Sequence, residues 1–150
     1  MLAIALISHS DAYYSTRRLL EAGHQLGYRM SRVDPVRVVL AATRPGDGLP
    51  AIYEDGLEVA VPDVCMPRIG AQLGPWSLAL LEAWMIRGAR CPVSPFSIAR
   101  AADKVMTTLT LNARGVPTVP TLAVREAFHV DSALALLPAE RWVFKSRLGT

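Results

Sequence analysis

The sequence has 150 residues, of which 51% are hydrophobic and 19% charged, and a formal net charge of +3 at pH 7. Such a chain can bury a core and is not intrinsically disordered. It has no apolar run near the ~18 residues of a membrane span, and its charge is too small to argue for direct nucleic-acid binding without a clustered basic patch.

Met1–Ile7 is apolar but short, with no basic segment before it. It reads as a first strand and not as a secretory signal, which points to the cytoplasm. The continuous run Leu2–Ile7 suits a central strand of a parallel sheet, buried on both faces. Ser8-His9-Ser10-Asp11 follows, rich in turn and cap residues. The spacing then predicts a helix from about Tyr14 to Leu26, with Thr16, Leu19, Leu20, Gly23 and Leu26 on one face and Arg17, Arg18 and Glu21 on the other. Gly27 fits the position just past its end. Tyr28–Val33 reads as a second strand, ended by Asp34-Pro35.

Thr43–Pro50 holds two Pro and two Gly and reads as a loop. Ile52–Val59 carries the hairpin signal Asp55-Gly56. Asp63–Met66 is a further strand, left by Pro67-Arg68-Ile69-Gly70. A helix over Trp76–Arg87, closed by Gly88, precedes a short strand at Cys91–Val93. Strand–helix–strand alternation with short links predicts a parallel α/β sheet flanked by helices. Cys65 and Cys91 are far apart in the chain and lack a C-x-x-C pattern, so they read as reduced, buried thiols.

Composition shifts after Ser94-Pro95. A helix is expected over about Ser97–Ala113, with Ser97 as its cap and Gly115 past its end. Val116–Val124 is β-like but carries Pro117 and Pro120, as edge segments do. Glu126–Leu137 reads as a helix, Trp142–Lys145 as a strand, and Ser146–Thr150 as the opening of a loop. Residues 1–95 therefore read as a complete small α/β domain, and 96–150 as the first part of a second domain that continues past residue 150.

Fourteen of the 16 basic residues are Arg; only Lys104 and Lys145 are Lys. A chain that uses Arg so freely draws attention to the two places where a compact ammonium stands instead. Lys145 ends an apolar strand-like run and precedes Gly149-Thr150, a glycine-bearing loop of the kind that turns backbone N–H groups toward phosphate. Lys104 follows Asp103 on a helix, and two such lysines could neutralise the phosphates of one nucleotide. The plainer readings are a snorkelling Lys145 and a surface Asp103–Lys104 pair. Arg68 stands at the C-terminal end of a strand, where ligands of open α/β sheets bind, and could clamp a carboxylate or phosphate, or tie down a loop carbonyl. Ser10 and Asp11 occupy the corresponding place after the first strand, before a helix N-terminus that favours anions. Neither G-x-G-x-x-G nor a Walker A sequence occurs, which weakens a nicotinamide-cofactor oxidoreductase reading. His9, His24 and His129 lack metal spacing and an obvious partner. Trp76 and Trp84, near one face of a helix, suit a core or a subunit contact.

In order along the chain, Tyr14-Ser15 with Arg18, Asp34-Pro35, Asp63 with Pro67-Arg68-Ile69-Gly70, Ile98-Ala99-Arg100-Ala101-Ala102-Asp103-Lys104, Ala113-Arg114-Gly115, and Lys145 with Gly149-Thr150 resemble an ATP-grasp ligase of the RimK type. The resemblance implies a Rossmann-like pre-ATP-grasp domain over 1–95, followed from residue 96 by the first part of an ATP-grasp domain. It implies that Lys104 and Lys145 contact ATP phosphates and that Gly149-Thr150 begin the loop closing over them. Arg68, Ser10 and Asp11 become substrate or domain-interface residues. The implied chemistry is ATP- and Mg2+-dependent joining of a carboxylate to an amine through an acyl phosphate. In this branch glutamate or a similar amino acid is added to a protein C-terminus or small-molecule carboxylate.

On that reading the magnesium ligands lie beyond residue 150. No catalytic or metal-binding residue falls within the 150, which alone should be inactive. Self-association is a further family expectation. The alternative is a non-catalytic α/β binding or assembly module in which the lysines are incidental.

Overall fold

A computed structural model describes residues 1–69 and 74–148. Gly70, Gly149 and Thr150, named above, lie outside the described residues. The chain divides into two compact units, Met1–Ala99 and Arg100–Thr150.

In the first unit, strands β1 (Ala3–Ile7), β2 (Arg29–Val33) and β6 (Val64–Pro67) form a parallel sheet in the order β2-β1-β6. Ala3 pairs with Arg29 on one side of β1, and Ile4 with Val64 on the other. The central place explains the unbroken apolar run: Ala5, Leu6 and Ile7 are each no more than 1% exposed, as a strand covered on both faces requires. Helix α1 (Tyr14–Gln25) connects β1 to β2. It packs so closely that a Cβ on Gly23 would stand 2.2 Å from Met30 Sδ. Its apolar face is narrower than the spacing predicts. Thr16 and Gly23 are buried, but Leu26 is 71% exposed because the helix ends at Gln25.

A second, antiparallel sheet joins β3 (Val38–Ala41), β4 (Ala51–Glu54) and β5 (Leu57–Glu58) in that order. The turn between β4 and β5 has φ +50° at Asp55 and +80° at Gly56, the pair of left-handed residues a two-residue hairpin needs. Strand β3 was not anticipated, since Val38–Ala41 has neither alternation nor a turn signal of its own. Helix α2 (Gly74–Ile86) packs on both β4 and β6. Its Leu80, Leu81, Ala83 and Trp84 join Ile7, Val33, Ile52 and Cys65 in one core. The strand expected at Cys91–Val93 is reduced to one bridge, Arg90 with Val64. Pro92 has no N–H with which to extend it.

The expected helix over Ser97–Ala113 is two helices, α3 (Pro95–Ala102) and α4 (Lys104–Asn112). Asp103 between them is extended, at φ −96° and ψ 110°, and its side chain caps α4. The cap of α3 is Ser94, not Ser97: Ser97 N–H donates to Ser94 Oγ at 3.1 Å, and Pro95 takes the first helical position. A short 3₁₀ turn, Ala127–His129, leads into α5 (Val130–Leu136), where one helix was expected. Neither Val116–Val124 nor Trp142–Lys145 forms a strand. Neither has a ladder partner among the described residues, and strand propensity without a partner leaves backbone groups to water.

Candidate functional site

The parallel strands of the first unit end along one edge, where Ser8, His9, Asp34 and Arg68 follow them. Ser8 continues the sheet by donating its N–H to Val33 O at 3.1 Å. Its hydroxyl shares a 2.8 Å hydrogen bond with that of Thr16, and both residues are fully buried. This pair fixes the first turn of α1 against the end of β1. Arg32 holds the following loop, donating from Nη1 to Ser8 O at 2.9 Å and His9 O at 3.3 Å. Asp34 is 7% exposed. Its Oδ1 accepts the Val36 N–H at 3.0 Å and lies 3.2 Å from His9 Nδ1. Burial pushes its carboxyl up, but the Val36 N–H, His9 and Arg32 together outweigh that and hold it below the ordinary value. His9 therefore has a carboxylate partner that its sequence surroundings did not reveal.

Arg68 extends the β1–β6 ladder, its N–H donating to Ile7 O at 2.8 Å. From there its Nη2 reaches across to donate to Ser15 Oγ at 2.7 Å. The two side chains stand in a cleft of about 510 Å³. Pro67, Ile69, Val93 and Ile98 give it an apolar wall, while Ser15, Thr16 and Arg68 supply hydroxyls and a guanidinium, with Tyr13 beside them. Tyr13, which precedes α1, makes no side-chain cap hydrogen bond to that helix. The cleft thus offers a cation and a helix N-terminus on one side and aliphatic surface on the other, an arrangement suited to a carboxylate or phosphate carried on an apolar body.

Ser10 and Asp11 do not line the cleft. Ser10 Oγ accepts the Ala12 N–H at 3.1 Å and shapes the turn, and Asp11 is exposed. In the sequence Ser15 stands out only through the Tyr14-Ser15 resemblance and its place at a helix start, with no chemical role attached to it. Only the fold sets it against Arg68.

In the second unit Lys104 opens α4, half-buried, directly after its cap. Asp103 Oδ1 accepts the N–H groups of Val105 and Met106 at 3.0 and 3.1 Å. Its Oδ2 accepts Arg147 Nε at 2.8 Å. Asp103 also bridges Leu148, and Lys104 N–H donates to Arg147 O at 3.1 Å. Lys104 is thereby tied by its backbone to the segment that begins two residues after Lys145. Lys145 itself is exposed. Asp103 is 6% exposed and serves as cap and anchor. Among the described residues no three His, Cys, Asp or Glu side chains are grouped to hold a metal ion. Among them, too, no helix is long and apolar enough to cross a membrane.

A parallel α/β layer with a partly polar cleft at the C-terminal edge of its strands is the architecture of a pre-ATP-grasp domain. Residues 2–98 match the RimK PreATP-grasp domain, and the chain belongs to that family. A probable alpha-L-glutamate ligase of Stenotrophomonas maltophilia is 30% identical over 147 residues, covering 98% of this chain and 49% of that protein. Its counterpart in Thioalkalivibrio sulfidiphilus is 31% identical over 147 residues, covering 98% and 48%. The chain thus spans about half the length of the curated relatives it matches. Among solved structures, the macrocyclase MdnB of Microcystis aeruginosa is similar with a TM-score of 0.63 at 19% identity, covering 90% of this chain and 58% of that one. At that identity the likeness is one of fold.

Proposed function

We propose that the intact protein is an ATP-dependent carboxylate–amine ligase that adds glutamate or a similar amino acid to a protein or small-molecule carboxylate, in the cytoplasm. Residues 1–95 are its pre-ATP-grasp domain, and the ATP-grasp domain begins at about residue 96. The cleft that sets Arg68 against Ser15 carries the substrate side of this reading. It presents a bidentate donor to a carboxylate and an aliphatic wall to the rest of the molecule. Family membership over residues 2–98 carries the reaction class.

Lys104 and Lys145 bind the nucleotide phosphates as point charges, and Gly149-Thr150 begin the loop over them. The Asp103–Arg147 contact holds the start of the Lys104 helix to the segment two residues past Lys145, which supports a phosphate site shared by the two lysines. The acceptor carboxylate takes the terminal phosphoryl group of ATP to form an acyl phosphate, releasing ADP, and the amine then attacks its carbonyl carbon and expels inorganic phosphate. Among the described residues no three His, Cys, Asp or Glu side chains are grouped to hold magnesium.

Purified intact protein should release ADP and phosphate only when acceptor carboxylate and amine are both present. Lys145→Ala should lower kcat/KM by at least about 100-fold, the usual scale for a donor to transition-state charge. Arg68→Ala should raise the acceptor KM while leaving ATP affinity alone. Full turnover in Lys145→Ala would refute the assignment. A protein that binds an anionic partner but neither binds nor hydrolyses ATP would establish the non-catalytic module instead.

A further inference from the structure

Cys65 and Cys91, remote in the sequence, are neighbours in the fold. Cys65 lies within β6 and is fully buried, whereas Cys91 is half-buried. Arg90 forms a parallel bridge with Val64. Two backbone hydrogen bonds fix it, Cys65 N to Arg90 O at 2.9 Å and Arg90 N to Asp63 O at 3.0 Å. One step further along each segment come Cys65 and Cys91. Residues abreast on adjacent strands are ~4.8 Å apart and project to the same face. A disulfide takes Cα atoms about 4.4–6.8 Å apart. Cys91 packs against the core that holds Cys65, and its Sγ donates to Val93 O at 3.0 Å.

We propose that Cys65 and Cys91 are a redox modification site, forming a reversible intramolecular disulfide when the chain meets a peroxide. The two thiols have different parts. Burial and the adjacent Cys91 sulfur push the Cys65 thiol up to about 12, so at neutral pH it stays protonated and shielded. Cys91 is the sulfur a small oxidant can reach. Its thiol and hydrogen peroxide give a sulfenic acid and one water. Cys65 sulfur then attacks Cys91 sulfur, the S–O bond breaks, and the departing hydroxyl takes the Cys65 proton as a second water. Two thiols lose two electrons and two hydrogens, and the peroxide is reduced to water.

The bond would join β6 to a segment held beside it at the single Val64–Arg90 bridge, and with Cys91 only half-buried it should be easily reduced, as exposed regulatory disulfides are. It would close residues 66–90 into a loop that includes Pro67, Arg68 and Ile69. It would also remove the Cys91 hydrogen now donated to Val93 O. Val93 and residues 67–69 all line the cleft, so oxidation acts on that cleft's walls whatever the cleft binds.

The test treats the full chain with hydrogen peroxide under native conditions, then alkylates with iodoacetamide, and reads intact mass, a non-reducing gel and the peptide map. Both free thiols should be lost with a mass decrease of two hydrogens, the chain should stay monomeric on the gel, and one linked peptide should join Cys65 to Cys91. Dithiothreitol should restore both thiols. In Cys65→Ser, Cys91 should instead stop at the sulfenic acid or pass to the sulfinic acid. In Cys91→Ser, Cys65 should remain a free thiol. Accumulation of sulfinic acid on Cys91 in the wild-type chain with Cys65 still free, a disulfide between two chains, or no reaction at all would each overturn the proposal.

Discussion

Arg147 places two nitrogens on a single oxygen of Asp103, Nε at 2.8 Å and Nη2 at 2.6 Å from Oδ2, while the other oxygen caps α4. One carboxylate thus starts a helix and anchors a segment 44 residues away. The Arg147 guanidinium, helped by the Met106 and Val105 N–H groups, outweighs desolvation and holds the Asp103 carboxyl below its ordinary 3.8. A carboxyl depressed in the folded state adds stability that is fully present above its unfolded value and fades as pH falls through the folded one. The urea midpoint of the wild-type chain should therefore drop below roughly pH 4. Asp103→Asn keeps a capping oxygen but not the charge, and should show a shallower decline over the same range. Parallel pH profiles for the two would show that the ion pair contributes nothing.

The Ser8–Thr16 hydroxyl pair fixes α1 to β1 out of reach of water. Thr16→Val preserves the shape and deletes the bond, and should cost about 1–2 kcal/mol in denaturant unfolding. Thr16→Ser, which keeps the hydroxyl, should cost less. Equal costs would mean that packing, not the hydrogen bond, is what Thr16 supplies.

Trp84 is 1% exposed at the centre of the first unit, and Leu57 is 75% exposed on the hairpin. Trp84→Ala should destabilise by about 3–5 kcal/mol. Leu57→Ala should stay within about 0.5 kcal/mol of wild type. Calorimetry or urea titration separates them easily.

Gly56 sits at φ +80° beside Asp55 at +50°. A Cβ there would meet open space, so the cost of Gly56→Ala is conformational alone. It should be about 1 kcal/mol, visible as a lower urea midpoint. A change of zero would mean that the hairpin relaxes to another turn.

Strands β1 and β2, helix α1 and the 55–56 turn were legible because their signals are local: an unbroken apolar run, a helical period, an Asp-Gly step. The α3–α4 break was not, since Ile98, Ala102 and Leu109 keep helical spacing through Asp103. Asp103 leaves the helix where it caps α4 and meets Arg147 and Leu148. For Trp142–Lys145 and Val116–Val124, the sequence showed propensity, but a strand exists only with a partner. Trp76 and Trp84 share a helix, yet Trp84 lies in the core while Trp76 is 39% exposed and donates to Pro35 O at 2.7 Å. The face of α2 bearing Leu80, Leu81 and Trp84 is spent inside its own unit. Arg68 was found from its place after a strand. Its partner Ser15, the His9–Asp34 contact and the Cys65–Cys91 pairing all depend on which segments the sheet sets side by side, and no local pattern records that.

Among the described residues the cleft is lined by Tyr13, Ser15 and Thr16, by Pro67, Arg68 and Ile69, and by Val93 and Ile98. It cannot exist in part; it appears only when β1, α1, β6 and the segment after α2 are all in place. Whatever molecule seats there is therefore linked by mass action to the folding of the entire first unit. At a hundredfold excess over its dissociation constant it would raise that unit's unfolding free energy by about 2.7 kcal/mol. Thermal melting of the chain against small carboxylates and phosphates would report occupancy directly, with no need to know the reaction first.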